Sequence, residues 1–162
     1  MTVAPSATWV AYCDGSAVPN PGRMACGVVI FAPDGTREAI ARSSTAVGCN
    51  NEAELWALAV TLEALRERGA QDVLIHTDNS VLVAQLMPTR GVAVPPIERL
   101  AASFEAARAA IAGFARARLQ WVPRHRNAEA DALARRAQGL AEKPVHKPGS
   151  AGRLSKARRK IG

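Results

Sequence analysis

Four carboxylates stand where a carboxylate is a poor structural choice unless it points into a site. Asp14 closes an apolar run in Tyr12-Cys13-Asp14-Gly15-Ser16, and Asp78 follows Val73-Leu74-Ile75-His76-Thr77. Glu54, in Asn50-Asn51-Glu52-Ala53-Glu54-Leu55, and Asp131, in Asn127-Ala128-Glu129-Ala130-Asp131-Ala132-Leu133-Ala134, fall in the first turns of helix-like runs. Taken singly, each has a structural explanation: a strand-end Asp is commonly a turn residue, and the helix macrodipole favours a first-turn acid by roughly 0.3–1 kcal/mol. Taken as a set they point elsewhere. Clustered carboxylates repel one another and stay ionised together only around cations, hard divalent ones above all. The four therefore read as a metal site for chemistry on phosphate.

The elements that must carry these residues follow from periodicity and punctuation. Residues 8–14 read as a strand ending at Asp14, and 15–22, rich in Gly and Pro, as turn material. A second strand is expected over 25–32, a hairpin turn at Asp34-Gly35 and a third strand over 36–44. A helix is predicted over about 51–68, capped by Asn50 or Asn51 and stopped by Gly69. Its core stripe is Leu55, Leu58, Leu62 and Leu65. Glu54 lies one turn before Leu58 and shares that stripe, whereas Glu52 is rotated away from it. Phase thus selects Glu54 over its neighbour.

Downstream, 73–77 is a short buried-type strand leading into Asp78, and 80–86 a short helix. A loop from Pro88 to Pro96 with Arg90 as its one charge precedes a helix over 97–112, and a strand follows at 118–122. A helix over about 128–139, capped by Asn127, carries Asp131. The order β-β-β-α-β-α-α-β-α implies an α/β fold: an antiparallel meander, then parallel additions to the same sheet. In that topology Asp14 and Asp78 end neighbouring strands. His76, Trp56 and Trp121 are read as packed residues.

Composition bounds the rest. The chain has 162 residues, 48% of them apolar, enough for one core and one domain. It has no run of about 18 apolar residues and starts without a basic-then-apolar leader, so no membrane span and no secretion are expected. Cys13, Cys26 and Cys49 suggest neither a disulfide framework nor a zinc site, and a reduced, cytoplasmic setting fits. Charge is unevenly divided. Residues 1–142 contain 14 acids and 14 arginines with no lysine, so the whole net charge of +7 lies in 143–162. The expected organisation is a flexible N-terminus (1–7), a catalytic domain (8–142) and a disordered basic tail (143–162).

These motifs resemble the type 1 ribonuclease H family. The resemblance rests on Asp14-Gly15-Ser16 with Asn20-Pro21-Gly22, then Asn50-Asn51-x-x-Glu54-Leu55, Thr77-Asp78, Trp121-Val122-Pro123-x-His125 and Asn127-x-x-x-Asp131-x-Leu133-Ala134. Each motif is weak alone; all of them in order are specific. Membership implies a five-stranded mixed sheet with helices on both faces. It also implies endonucleolytic hydrolysis of the RNA strand of RNA–DNA hybrids, leaving 3′-hydroxyl and 5′-phosphate ends. By resemblance two Mg²⁺ ions, or Mn²⁺ as a substitute, about 4 Å apart, take part in catalysis. Asp14 would be their shared ligand, with Glu54 and Asp78 on one ion and Asp131 on the other. His125 would serve proton transfer or product release. Asn20, Asn50 and Asn51 would bind the substrate, where reading a 2′-hydroxyl selects RNA. A monomer is expected.

Three features depart from the family pattern. The basic handle of many bacterial members is missing, Cys49 occupies a position often held by Thr, and the interval from His125 to Asp131 is short. The tail Lys143–Lys160 either compensates by contacting the nucleic-acid backbone or simply stays solvated. Two other functions compete. An exonuclease on a related sheet generally begins Asp-x-Glu, unlike Asp14-Gly15-Ser16, and a pure nucleic-acid-binding module gains nothing from four carboxylates facing a polyanion.

Overall fold

The computed structural model describes residues 7–140. Most of the expected flexible N-terminus and the whole basic tail lie outside the described residues. The chain opens with three antiparallel strands, β1 (Thr8–Val18), β2 (Gly22–Phe31) and β3 (Arg37–Gly48). The β2–β3 turn forms where Asp34-Gly35 predicts it. Gly35 takes φ +88°, Thr36 N–H donates to Asp34 Oδ1 at 2.8 Å, and Ala32 N–H donates to Thr36 O at 2.9 Å. Two parallel strands complete the sheet: β4 (Asp72–Thr77) beside β1, and β5 (Arg116–Trp121) beside β4, giving the order β3-β2-β1-β4-β5. The expected α/β fold with a five-stranded mixed sheet is what forms.

Helices α1 (Asn50–Glu67), α2 (Ser80–Leu86) and α3 (Ala101–Ala112) contact one another, whereas α4 (Ala128–Ala137) packs on β1, β2 and β3. The α1 stripe is buried as phased: Leu55, Leu58, Leu62 and Leu65 pack with Ala11, Cys13, Cys26, Val28 and Ile30 of the sheet. Each leucine contributes roughly 1.5–3 kcal/mol by leaving water. Alternate residues of β1 serve opposite faces, as the strand period of two requires. Gly15 and Ala17 lie against Ala53 of α1, while Gly27, the partner of Asp14 on β2, lies against Ala130 of α4.

Several boundaries differ from the sequence expectation. β1 continues four residues beyond Asp14, because it stays paired with β2 from Asp14↔Gly27 to Val18↔Arg23 after its pairing with β4 has stopped at Tyr12↔His76. β3 likewise runs on to Gly48, with a register shift between Arg23 and Ala25 absorbing the mismatch. The segment expected as a helix over 97–112 begins instead with a 3₁₀ turn, Glu98–Leu100. Cys49, rather than Asn50 or Asn51, caps α1, because both asparagine side chains are used in tertiary contacts. Asn127 stands at the start of α4, but its side chain does not cap it.

Candidate active site

Three elements bring Asp14, Glu54 and Asp78 together, and one carboxylate oxygen from each lies within 4.8 Å of the other two. β4 ends at Thr77, so Asp78 leaves the sheet beside β1 where β1 still holds Asp14 in extended pairing. Glu54 reaches the same point because Gly15 has no side chain. A Cβ at Gly15 would stand 2.1 Å from Ala53 O, so only glycine lets the first turn of α1 rest on β1. Gly15 N–H then donates to Glu54 Oε2 at 3.2 Å. Gly27 does the same on the other face: a Cβ there would stand 2.1 Å from Ala130 O. The resulting closeness of α4 brings Asp131 to the cleft, one residue from that contact. Asp131 shares an open cleft of about 840 Å³ with the other three acids, Asn50, Asn51, Arg124 and His125, but does not belong to the tight trio.

The support around the acids is hydrogen-bonded. Asn127, 1% exposed, donates from Nδ2 to Cys13 O at 2.9 Å and pins the start of α4 to the residue before Asp14. Asn79 Oδ1 accepts from Val81 N–H and Leu82 N–H at 3.0 and 3.1 Å, capping α2. Its Nδ2 donates to Asn51 Oδ1 at 3.0 Å, which ties the loop after Asp78 to the first turn of α1. Trp121 Nε1–H donates to Asp78 O at 3.2 Å, and Val122 N–H to Thr77 O at 2.8 Å. Asn50 and Asn20 join the β1–β2 turn to α1: Ala17 N–H donates to Asn50 Oδ1 and Asn50 N–H to Asn20 Oδ1, both at 3.1 Å. Asn20 is exposed and lies outside the cleft lining, next to Asn50.

Sequence reading missed the scaffolding roles of Asn79, Asn127 and Trp121. Trp121, expected in the core, is 49% exposed, with its indole N–H on the Asp78 loop. Trp56 packs partly buried against the core, and His76 stacks on Tyr12 with ring centroids 4.5 Å apart, both as expected of packed residues. Glu52, turned away from the cluster by helix phase, pairs with Arg99 at 2.6 Å.

Burial and mutual repulsion set the electrostatics. Asp14 and Glu54 are 6% and 7% exposed. Loss of water pushes the Asp14 carboxyl up from 3.8 to about 7, with the Asp78 charge adding to it and a hydrogen bond with Glu54 opposing it. Glu54 is raised as well, by burial first and then by the charges of Asp14 and Asp78. The cluster therefore favours a bound proton unless a cation replaces it. All-oxygen donors at this spacing suit a hard divalent ion, whose opposed ligands stand about 4.2–5 Å apart.

Residues 12–137 match the family model described as reverse transcriptase-like. Ribonuclease HI of Halobacterium salinarum is 34% identical over 127 residues, which are 78% of this chain and 62% of that protein. The chain thus spans less than two thirds of the length of this curated relative. The crystal structure of RNase H1 from the halophilic archaeon Halobacterium salinarum NRC-1 superposes with a TM-score of 0.74 at 32% identity, covering 82% of this chain and 98% of that one. The structure of LC11-RNase H1 in complex with RNA/DNA hybrid gives a TM-score of 0.68 at 27% identity, covering 80% and 95%. Motifs, sheet order, the convergence of the acids and these matches agree that the chain belongs to the ribonuclease H family.

Proposed function

We propose that this chain is a metal-dependent endoribonuclease that hydrolyses the RNA strand of RNA–DNA hybrids, leaving 3′-hydroxyl and 5′-phosphate ends. The observation that carries the reading is the meeting of Asp14, Glu54 and Asp78, from three separate elements, within 4.8 Å in a cleft also lined by Asp131 and His125. The complex of a relative with RNA/DNA hybrid supports the substrate class. Two bound Mg²⁺ or Mn²⁺ ions would supply Lewis-acid charge for activating a water and stabilising the leaving 3′ oxygen. Asp14 would be their shared ligand, Glu54 and Asp78 would complete one site, and Asp131 the other. His125, exposed on the cleft wall, is free to move a proton or release product. Asn50 and Asn20 spend their Oδ1 atoms on backbone N–H groups, which leaves their amide N–H groups to donate to substrate hydroxyls. Asn51 lines the cleft with its Oδ1 committed to Asn79, so its contribution to substrate binding would come through its own amide N–H or through holding the loop. The basic tail Lys143–Lys160 would add non-specific grip on the duplex backbone to a monomeric, cytoplasmic enzyme. Among the described residues no helix is long and apolar enough to cross a membrane.

The test is an incubation of end-labelled hybrid, single-stranded RNA, double-stranded RNA and DNA duplex with Mg²⁺, Mn²⁺ or EDTA, beside Asp78→Asn. Internal cuts in the hybrid's RNA strand, absent in EDTA and in the variant, are expected. Binding without cleavage in either metal would leave a nucleic-acid-binding relative instead.

A further inference from the structure

The residue between Pro123 and His125 is unspecified in the motif that carries the family resemblance, yet here it is an arginine with an unusual position. Among the described residues that line the cleft, Arg124 is the only Lys or Arg. Five other arginines, Arg37, Arg68, Arg99, Arg108 and Arg118, are spent in ion pairs with surface or sheet-end acids. Arg124 makes no ion pair and no side-chain hydrogen bond among the described residues, although four carboxylates line the same cleft. A flexible, exposed guanidinium beside four acids would ordinarily pair with one of them.

Its backbone, by contrast, is held firmly. The 3₁₀ turn Arg124–Arg126 is closed by Arg126 N–H to Pro123 O at 2.9 Å and Asn127 N–H to Arg124 O at 3.0 Å. The turn is fixed to β4 by Val122 N–H and to β1 by Asn127 Nδ2. The side chain alone is left to be ordered when a ligand arrives, which lowers the cost of binding. If two divalent ions neutralise the four acids, the described residues of the cleft offer an entering phosphate no Lys or Arg except this one.

We propose that Arg124 is the phosphate anchor of the cleft: its guanidinium takes a backbone phosphate of the nucleic-acid strand that enters it, in the bidentate geometry an arginine provides. The inference rests on the nuclease reading and deepens it, assigning to this chain's own residue the grip that the missing basic handle does not supply.

The test measures binding apart from turnover. Full-length Asp78→Asn protein is titrated against fluorescent hybrid in Mg²⁺ over a range of KCl, alone and combined with Arg124→Gln, Arg124→Lys or Arg116→Gln. Arg116 is exposed and begins β5 at the end of the sheet away from the cleft, so its variant makes the same charge change at a distance. Arg124→Gln is expected to weaken binding about tenfold or more and to lower the slope of log Kd against log[salt] by about one. Arg124→Lys should keep the slope and recover only part of the affinity, and Arg116→Gln should change neither much. Melting temperatures should not move, because the side chain has no partner among the described residues to lose. An effect of Arg124→Gln no larger than that of Arg116→Gln overturns the proposal, even if the wild type cleaves hybrid. If the wild type cuts nothing but Arg124→Gln still loses affinity and slope, the nuclease reading fails and the phosphate anchor stands.

Discussion

Removing one acid from the site should stabilise the metal-free protein while abolishing its activity. The Asp14 carboxyl sits at about 7 instead of 3.8, so the folded state holds a proton that the unfolded chain has already released. With the folded value raised, stability is fully present below about pH 4 and is lost as pH rises toward 7. At about 1.4 kcal/mol per tenfold change in proton affinity, the whole loss is about 4 kcal/mol at pH 8. Burial causes most of it and the Asp78 charge comes next. Coulomb's law sets the scale of that second part: two unit charges 4.8 Å apart, the widest separation within the trio, repel by about 3.5 kcal/mol at an effective dielectric near 20, before solvent screening. Asp78 is only half-buried, and a hydrogen bond already links Asp14 to Glu54, so the relief on neutralising Asp78 should be about 1–2 kcal/mol. For a domain of this size that is a rise in Tm of about 3–8 °C. Thermal unfolding of wild type and Asp78→Asn in EDTA at pH 8 reads it directly. The advantage should vanish at pH 4, where Asp14 and Glu54 are protonated in both proteins and no buried charge is left to repel Asp78. It should also shrink in Mg²⁺, because ion binding stabilises only an intact site, by about 1.4 kcal/mol at tenfold excess over Kd. An Asp78→Asn protein that melts no higher than wild type in EDTA at pH 8 would refute the electrostatic reasoning.

Three further outcomes follow from named contacts. Gly15→Ala should cost at least 1–3 kcal/mol, read as a lower urea midpoint, and should remove activity even where the protein folds, because its Cβ would stand 2.1 Å from Ala53 O and push Glu54 away; an active Gly15→Ala enzyme would contradict that packing. Asn127→Ala should lose about 1–3 kcal/mol in chemical denaturation by leaving the buried Cys13 carbonyl without its 2.9 Å donor, and an unchanged midpoint would show the bond to be dispensable. Replacing Lys143, Lys147, Arg153, Lys156, Arg158, Arg159 and Lys160 by Gln should leave Tm unchanged and lower the salt slope of hybrid binding by up to about six; an unchanged slope would mean that the tail does not touch the duplex.

Much of this site was legible in the chain because its signals are local. The hairpin turn at Asp34-Gly35 needs only a residue tolerant of positive φ, and Gly35 supplies it. The choice of Glu54 over Glu52 needs only helical phase relative to Leu58, which the folded state respects: Glu54 is buried and Glu52 sits at the surface with Arg99. The capping of α1 was misread because Asn50 and Asn51 are good caps in isolation, and nothing local reveals that Ala17 and Asn79 claim their side chains. Trp121 was misplaced for a similar reason. An apolar ring at a strand end reads as core, whereas its indole N–H is needed by the Asp78 carbonyl.

The sequence by itself determined which acids could form a site, which strands and helices would carry them, and that the net positive charge lies in the tail. These follow from neighbours within a turn or two and from composition. Only the tertiary structure decided that Asp14 lies inside a continuing strand, that Gly15 and Gly27 each admit a helix backbone, and that Asn127 holds α4 to Cys13 across 114 residues of chain. It also decided that Arg124 stands among the acids with no ion pair to any of the described residues. Periodicity reports which face of an element is buried. It carries no information about what the opposite wall will be, because that depends on the register of distant strands and on how closely two backbones can approach.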